Sequence, residues 1–200
     1  MSLPIQELSC TGCNFEQSLV ADLPYIRYAL NDSRFAHGSS SHDWCHSCGK
    51  VCSAERLEDI EVLERAVLEA ETFIRGGVLT RLRKRLFGSM SALRVRAVTI
   101  LVKRRNDLEW RRQRVAPAHC FECGGTRLSQ IPWSSLRPRT VDGHPIPVDI
   151  GLQHVCGGHL QFFWNDEIRV NVRPSTKVLH PEGRFLWEES TEPDWRDNVL

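Results

Sequence analysis

Long apolar runs and an export signal are both missing from this chain of 200 residues. No uninterrupted apolar run approaches the roughly 20 residues that a helix needs to cross a bilayer. The opening stretch MSLPIQELSC has neither the basic region nor the apolar core of a secretory signal. We therefore expect a cytoplasmic protein, and a membrane is not its expected partner.

Common catalytic signatures are also missing. The sequence has no Ser-His-Asp order, no phosphate-binding loop and no dinucleotide fingerprint. The formal net charge of only +1 predicts no general affinity for polyanions, although the charge is unevenly distributed along the chain. These absences favour a binding protein over an enzyme.

The middle of the chain, residues 54–114, lacks cysteine, histidine and proline, which is typical of a helical section. Apolar residues recur there at spacings of three and four, a pattern that predicts a helix of about five turns with Ser53 as its N-cap. The stripe comprises Leu57, Ile60, Leu63, Val67, Ala70 and Ile74. Further helices are predicted over 78–87 and 92–114, although LRVRAVTILV at 93–102 alternates well enough for a strand.

The eight cysteines are concentrated in four short clusters, SCTGC, HDWCHSCGKVC, HCFECGG and HVCGGHL. CxxC pairs in a reducing compartment indicate metal binding, not disulfides. Cys13 and Cys45 are separated by 31 residues, and Cys123 and Cys156 by 32. Such similar intervals predict a duplicated module with one structural zinc in each copy. The first predicted ligand set is Cys10, Cys13, Cys45 and Cys48; the second is Cys120, Cys123, Cys156 and His159.

The segments CHSCGK and CFECGG resemble the knuckles of zinc-ribbon (rubredoxin-like) proteins, in which two knuckles on β-hairpins share one zinc ion. The resemblance covers about 45 residues at each end and implies a fold and a metal but no activity. Glycines after the pairs, at Gly49, Gly124 and Gly157, give the turns the backbone freedom they need. The intervals are longer than in most ribbons, but doubling a flexible loop costs only about 0.6 kcal/mol.

Other roles for the thiols stay open. A redox dithiol needs a βαβ context that the sequence does not show. An iron-sulfur cluster would use Cys45, Cys48 and Cys52 but lacks a matching fourth ligand. Cys52 is expected to be a buried or spare thiol. His46 and His119, beside the pairs, are expected to contact a ligand or solvent and not the metal, although either is an alternative ligand.

The predicted fold is α+β: two small β-rich zinc-ribbon-like modules connected by a helical hairpin. The expected boundaries are 1–53 for the N-terminal zinc module, 54–116 for the helical connector, 117–187 for the C-terminal zinc β module and 188–200 for an acidic tail. Short runs such as EIRVNV and RFLW after Trp164 predict strands in the last module.

The first functional hypothesis is nucleic-acid binding. Residues 81–114 carry twelve cations against two acids, a segment charge of +10. Trp110, beside Arg111 and Arg112, is a candidate for stacking on a base. The candidate contacts are Arg81, Arg83, Lys84, Arg85, Lys103, Arg104, Arg105, Arg111 and Arg112.

Two alternatives remain. In the first, the zinc ions stabilise a protein-interaction or self-associating module, with the helical hairpin or the C-terminal tail as the contact surface. In the second, VDGHPIPVDIGLQHVCGGH resembles an HNH-type zinc-finger nuclease, which implies His144 as general base and Cys120, Cys123 and Cys156 as structural ligands. Gly143 and His159 depart from that pattern.

Overall fold

A computed structural model describes residues 2–20, 23–30, 33–75, 91–133, 135–136, 139–141, 144–171 and 175–190. Within these ranges the fold is mixed α and β, rich in sheet, with two helices. The helices are α1 (Ile60–Arg75) and α2 (Ser91–Gln113). The strands are β1 (Ser2–Cys10), β2 (Glu16–Val20), β3 (Tyr25–Ala29), β4 (Phe35–Cys45), β5 (Lys50–Arg56), β6 (Leu128–Gln130), β7 (Arg139–Val141), β8 (His144–Ile146), β9 (Val148–Gln153), β10 (His159–Asn171), β11 (Ser175–Leu179) and β12 (Phe185–Ser190).

The first sheet joins the N-terminal strands β1 and β2 to β9 and β10, which come from the last third of the chain. Its strand order is β2-β1-β10-β9, and all its pairings are antiparallel. Cys10, the last residue of β1, lies opposite Leu160, the second residue of β10. The turn that follows β1 and the turn that precedes β10 are therefore neighbours in space.

The second sheet is built around the long strand β4. Its order is β12-β11-β3-β4-β5, and β6 also pairs with β4. The first part of β4 pairs with β3, whereas the part ending at Cys45 pairs with both β5 and β6. The pairing of β11 with β3 is parallel and again joins distant parts of the sequence.

The helices differ in part from the sequence prediction. Ser53 is not an N-cap, because residues 50–56 form β5 against β4. Instead α1 begins at Ile60, where the carbonyl of Asp59 accepts the N–H groups of Val62 and Leu63. The segment 93–102 is helical, so the strand alternative is wrong. The predicted helix at 78–87 lies outside the described residues.

The two helices run antiparallel along each other. Arg111 Nε donates to the Glu58 carbonyl at 3.0 Å, and Arg105 Nη2 donates to Glu71 Oε1 at 2.7 Å. The later residue of α2 therefore contacts the start of α1, and the earlier residue of α2 contacts the end of α1. The 76–90 connection is outside the described residues, and the predicted hairpin linkage between two modules stays unconfirmed.

Apolar side chains form two main clusters. One fills the space between the four-stranded sheet and the β4–β5 region; its buried members are Leu8, Leu19, Trp44, Val51, Ile131, Leu136, Ile150, Leu160 and Phe162. The other, under α2, comprises Ile26, Tyr28, Ala36, Trp110 and Leu179. Both clusters draw on residues from distant parts of the sequence.

A buried ion cluster anchors the end of α2. Arg114 Nη2 donates to Glu55 Oε2 at 2.8 Å, and both side chains are completely buried. His119 Nδ1 lies 2.9 Å from the same oxygen, and the hydroxyl of Tyr28 donates to the other carboxylate oxygen. Burial, together with the Glu55 carboxylate, raises the pKa of Tyr28 above its ordinary value. The cluster ties β3, β5 and α2 to the residue before Cys120.

Candidate metal centres

Site 1 consists of Cys10, Cys13, His154 and Cys156. The sulfurs of Cys10 and Cys156 are 3.4 Å apart, too far for a disulfide of about 2.05 Å. His154 Nδ1 lies 3.4 Å from the Cys13 sulfur and 3.3 Å from the Cys156 sulfur. Tetrahedral ligands at about 2.3 Å for sulfur and 2.1 Å for nitrogen are about 3.6 to 3.8 Å apart. The observed distances fit a four-coordinate ion after shifts of a few tenths of an ångström.

Two glycines allow the halves of site 1 to lie against each other. The N–H group of Gly12 donates to the Cys10 sulfur, and the N–H group of Gly158 donates to the Cys156 sulfur, each with a nitrogen-sulfur distance of 3.4 Å. A Cβ added at Gly158 would lie 2.7 Å from the Cys10 sulfur and 2.7 Å from the Gly12 Cα. A larger side chain at position 158 would therefore displace a ligand.

Site 2 consists of Cys45, Cys48, Cys120 and Cys123. The sulfurs of Cys45 and Cys123 are 3.6 Å apart, and those of Cys48 and Cys120 are 3.9 Å apart. Both distances are close to the tetrahedral value of about 3.8 Å. Cys45 and Cys120 have no exposed surface, so this site is part of the core, whereas three of the four residues of site 1 are at least partly exposed thiols.

Each CxxC turn of site 2 is closed by its following glycine. Gly49 N–H donates to the Cys45 carbonyl and Gly124 N–H donates to the Cys120 carbonyl, both at 2.9 Å. Both glycines have positive φ, 66° and 70°, and Gly157 in site 1 has φ 88°. These values confirm the prediction that the turns require glycine there.

The four thiols of site 2 are electrostatically unequal. The N–H of Gly125, 3.3 Å from the Cys123 sulfur, lowers the pKa of Cys123 to about 7. The hydrogen bond to Cys123 raises the pKa of Cys48 to about 12. Burial raises the pKa of Cys45. A cation that binds here must therefore displace protons from sulfur, as thiolate sites generally require.

The predicted pairing of the clusters is wrong. Spacing suggested that Cys10 and Cys13 would meet Cys45 and Cys48, but they meet His154 and Cys156 instead. Likewise, Cys120 and Cys123 meet Cys45 and Cys48 and not the cluster at Cys156. The physical reason is the pairing of β1 with β10, which joins the outer two clusters, and the pairing of β4 with β5 and β6, which joins the inner two. The HNH-like ligand set of Cys120, Cys123 and Cys156 is not brought together either.

Histidine assignment was also wrong at one position. His159 opens β10, and its Nδ1 lies 3.4 Å from Asp149 Oδ2, outside the site 1 group. His154 takes its place, two residues before Cys156. The available signal was the HxCGG pattern, in which Gly157 N–H donates to the His154 carbonyl at 2.9 Å and closes a turn.

The two histidines beside the CxxC pairs make other contacts. His46 Nε2 lies 2.8 Å from Ser129 Oγ, and His119 Nδ1 lies 2.9 Å from Glu55 Oε2. Neither belongs to a group of potential metal ligands among the described residues.

A fifth thiol borders site 2. Cys52 is 2% exposed, and its sulfur lies within 4.8 Å of the Cys48 sulfur and of a Glu122 carboxylate oxygen. Burial raises the pKa of Cys52 well above its ordinary value, and the neighbouring thiols add to the effect. The expectation of a buried thiol is confirmed, but Cys52 is adjacent to the metal ligands.

Several basic residues of the nucleic-acid hypothesis have acidic partners on α1 or a carbonyl partner just before it. Arg105 contacts Glu71, Arg111 donates to the Glu58 carbonyl, and Arg112 Nη2 donates to Glu64 at 2.6 Å. Lys103 and Arg104 are half-buried on α2.

Of the remaining positions named from the sequence, Trp110 is the one whose side chain the structure describes. Trp110 is 4% exposed and stacks on Tyr28 with ring centroids 3.8 Å apart, so it cannot receive a base. Arg81, Arg83, Lys84 and Arg85 lie outside the described residues, as does the side chain of His144.

Neither α1 nor α2 is long and apolar enough to cross a bilayer. Comparison of the chain with protein-family models, with curated proteins and with solved structures gives no match.

Proposed function

We propose that this chain is a non-enzymatic protein that binds two zinc ions, one at site 1 and one at site 2, and uses them to hold its fold. The observation that carries the proposal is the presence of two separate groups of four donors, each with all its donor atoms within 4.8 Å of one another and with distances of 3.3 to 3.9 Å for five of the donor pairs. Sulfur-rich tetrahedral sets select zinc over magnesium or calcium, which take oxygen ligands. Four protein ligands leave no open position for a reactive water, which argues against zinc hydrolysis.

The location of the sites supports a structural role. Site 1 links the N-terminal strand β1 to the turn before β10, and site 2 links the β4–β5 turn to the segment after α2. Each ion would therefore cross-link segments that are far apart in the sequence. In small domains a structural zinc contributes roughly 10 to 16 kcal/mol of apparent folding free energy. The metal-ligand bonds would stabilise the cysteine-bearing turns, which make few apolar contacts of their own.

Metal counting tests this proposal. Native mass spectrometry of the full chain should show two zinc ions, and chelation should reduce the sheet content measured by circular dichroism. The double variant Cys45→Ser/Cys120→Ser should retain the ion of site 1 only if the two sites bind independently. A protein that binds no transition metal and unfolds identically with and without chelator would contradict the proposal.

The partner that this scaffold binds is also part of the proposal. Nucleic acid is supported by the +10 charge of residues 81–114, in which Arg81, Arg83, Lys84 and Arg85 form the densest run. Arg114 is buried against Glu55, and Arg105 and Arg112 form ion pairs with α1, so these three cations are less available for contact. Binding of a labelled oligonucleotide should weaken steeply with salt, and alanines at 81, 83, 84 and 85 should reduce the salt slope.

Alanines at Arg105 and Arg112 are the matched control, because these two side chains are neutralised within the chain. A flat salt response would reject nucleic acid as the partner.

A protein partner is the second candidate, and exposed apolar side chains on both helices favour it. Leu68 and Phe73 on α1 are 61% and 59% exposed, and Val95 and Val102 on α2 are 67% and 52% exposed. Apolar groups of this size in contact with solvent mark interaction surfaces when they are contiguous. Polar substitutions at Leu68 and Phe73 should abolish co-purification of such a partner but leave the metal count at two.

A further inference from the structure

We propose that site 2 is one half of a two-metal cluster, in which a second soft divalent cation binds Cys52 and Glu122 and shares the sulfur of Cys48. This inference rests on the proposed function, because the shared sulfur must already hold the ion of site 2. It adds a third metal ion to the two of the proposed function. The chemical class of ligand is a thiophilic divalent cation, Zn²⁺ or Cd²⁺.

The geometry that supports the second ion is a group of three donors with one member in common with site 2. The Cys48 sulfur, the Cys52 sulfur and a Glu122 carboxylate oxygen lie within 4.8 Å of one another. Sulfur and oxygen donors on a single tetrahedral ion are about 3.5 to 3.8 Å apart, so closing the group requires a shortening of up to about 1.3 Å in a donor-donor distance. Sulfur has lone pairs for two metals, which makes Cys48 suitable as a bridge.

Burial differs among the three donors in a way that suits an ion entering from solvent. Cys52 is 2% exposed, Cys48 is half-buried and the Glu122 side chain is 49% exposed. The carboxylate therefore lies at the outer edge, and the two sulfurs lie beneath it. The apolar cluster around Cys52 consists of three other cysteines, Cys45, Cys48 and Cys120, and one aliphatic residue, Leu128, so thiols dominate its surroundings.

The formal charge of the cluster favours a second cation, because an additional thiolate and carboxylate beside site 2 would otherwise add two uncompensated negative charges. Four thiolates around one divalent ion carry a formal charge of minus two. Five thiolates and one carboxylate around two divalent ions carry the same charge, so the added donors are neutralised in full. On binding, the Cys52 thiol loses its proton to solvent as the sulfur-metal bond forms, and no oxidant or reductant is needed.

Lys50 is the competitor of the second ion. Its Nζ lies 2.7 Å from Glu122 Oε2, and its side chain is 44% exposed. An exposed pair of this kind is weak and can open when a divalent ion approaches. Removing Lys50 should therefore strengthen the binding of the ion, the opposite of the effect of removing Cys52 or Glu122.

The experiment is a Cd²⁺ titration of the full chain followed by native mass spectrometry. The wild type should bind three ions, two tightly and a third more weakly. Cys52→Ala should bind two, Glu122→Gln should weaken the third ion at least tenfold, and Lys50→Ala should bind it more tightly than the wild type. Circular dichroism verifies that each variant keeps its sheet content.

The shared sulfur has its own readout. With ¹¹³Cd, two of the three resonances should show a scalar coupling to each other, transmitted through the Cys48 sulfur, and Cys52→Ala should abolish it. Two ions in the wild type at Cd²⁺ excess would overturn the inference and leave the proposed function intact. Three ions in Cys52→Ala, or three uncoupled resonances in the wild type, would overturn it as well, whereas a chain without any bound ion would refute both.

Discussion

Replacement of Cys156 by serine separates the two possible pairings of the cysteine clusters. In the structure Cys156 shares site 1 with Cys10 and Cys13. The variant should therefore bind the ion of site 1 more weakly and leave the ion of site 2 unchanged. An apparent zinc free energy of about 10 to 16 kcal/mol, spread over four donors, gives about 2.5 to 4 kcal/mol for one sulfur. Zinc affinity at site 1 should fall by roughly two to three orders of magnitude.

Alkylation read by mass spectrometry identifies the released thiols. Zinc-bound sulfur reacts slowly with a maleimide because the thiolate is engaged with the metal. In zinc-loaded Cys156→Ser, Cys10 and Cys13 should become reactive, while Cys120 and Cys123 should stay protected. The double variant Cys10→Ser/Cys13→Ser is the reciprocal control and should free Cys156.

The alternative outcome is equally clear. If Cys156→Ser exposes Cys120 and Cys123 and leaves Cys10 protected, the pairing in the structure is wrong and the spacing argument from the sequence is right. Uniform labelling of all seven remaining cysteines, with native sheet content, would refute both pairings.

Three further variants test the contacts around the sites. Glu55→Gln should lower the free energy of unfolding by about 3 to 5 kcal/mol in urea denaturation, because it leaves the buried Arg114 uncompensated; Glu64→Gln, in an exposed ion pair, should cost less than about 1 kcal/mol. Gly158→Ala should lose the ion of site 1 and keep that of site 2, since its Cβ meets a ligand sulfur; two retained ions would contradict this. Burial lowers the pKa of His42 below the ordinary 6.5, so the unfolded state binds the proton more readily and stability falls as the pH drops below about 6.5. His42→Gln should show a shallower loss than the wild type over that range in urea midpoints measured at each pH, and parallel curves would exclude the titration.

The sequence was informative where a local pattern determines the structure. The CxxCG turns depend on two ligands and a glycine within five residues, and the positive φ of Gly49 and Gly124 follows from that pattern. The apolar stripe likewise predicts the inner face of α1 from Leu63, at 4% exposure, to Ile74, whereas Leu57 precedes the helix and Ile60 is 36% exposed. In both cases neighbouring residues along the chain supply nearly all the information.

The pairing of distant segments was not readable from the same patterns. The residues around Ser53 are typical of a helix N-cap, but Ser53 instead pairs with His42 of β4 as part of strand β5. The buried Glu55 looks like an ordinary surface acid of an amphipathic helix, yet Arg114, 59 residues later, and Tyr28 surround it. Contacts of this range depend on which strands meet, and single-sequence periodicity does not encode that choice.

The similar intervals of 31 and 32 residues have a geometric explanation other than duplication. Both intervals connect the same two places, because Cys13 and Cys156 belong to site 1 while Cys45 and Cys123 belong to site 2. Each arm must therefore cover the same distance through the fold, and similar lengths are the natural consequence. The order of the clusters is nested, outer with outer and inner with inner. Once site 2 has formed, the loop that site 1 closes consists only of the segments from Cys13 to Cys45 and from Cys123 to Cys156. Without site 2 the loop would run through the whole chain from Cys13 to Cys156. Because loop-closure entropy grows only as the logarithm of length, this saves about 1 kcal/mol or less, so burial of Cys45 and Cys120, and not loop length, is what distinguishes the inner site energetically.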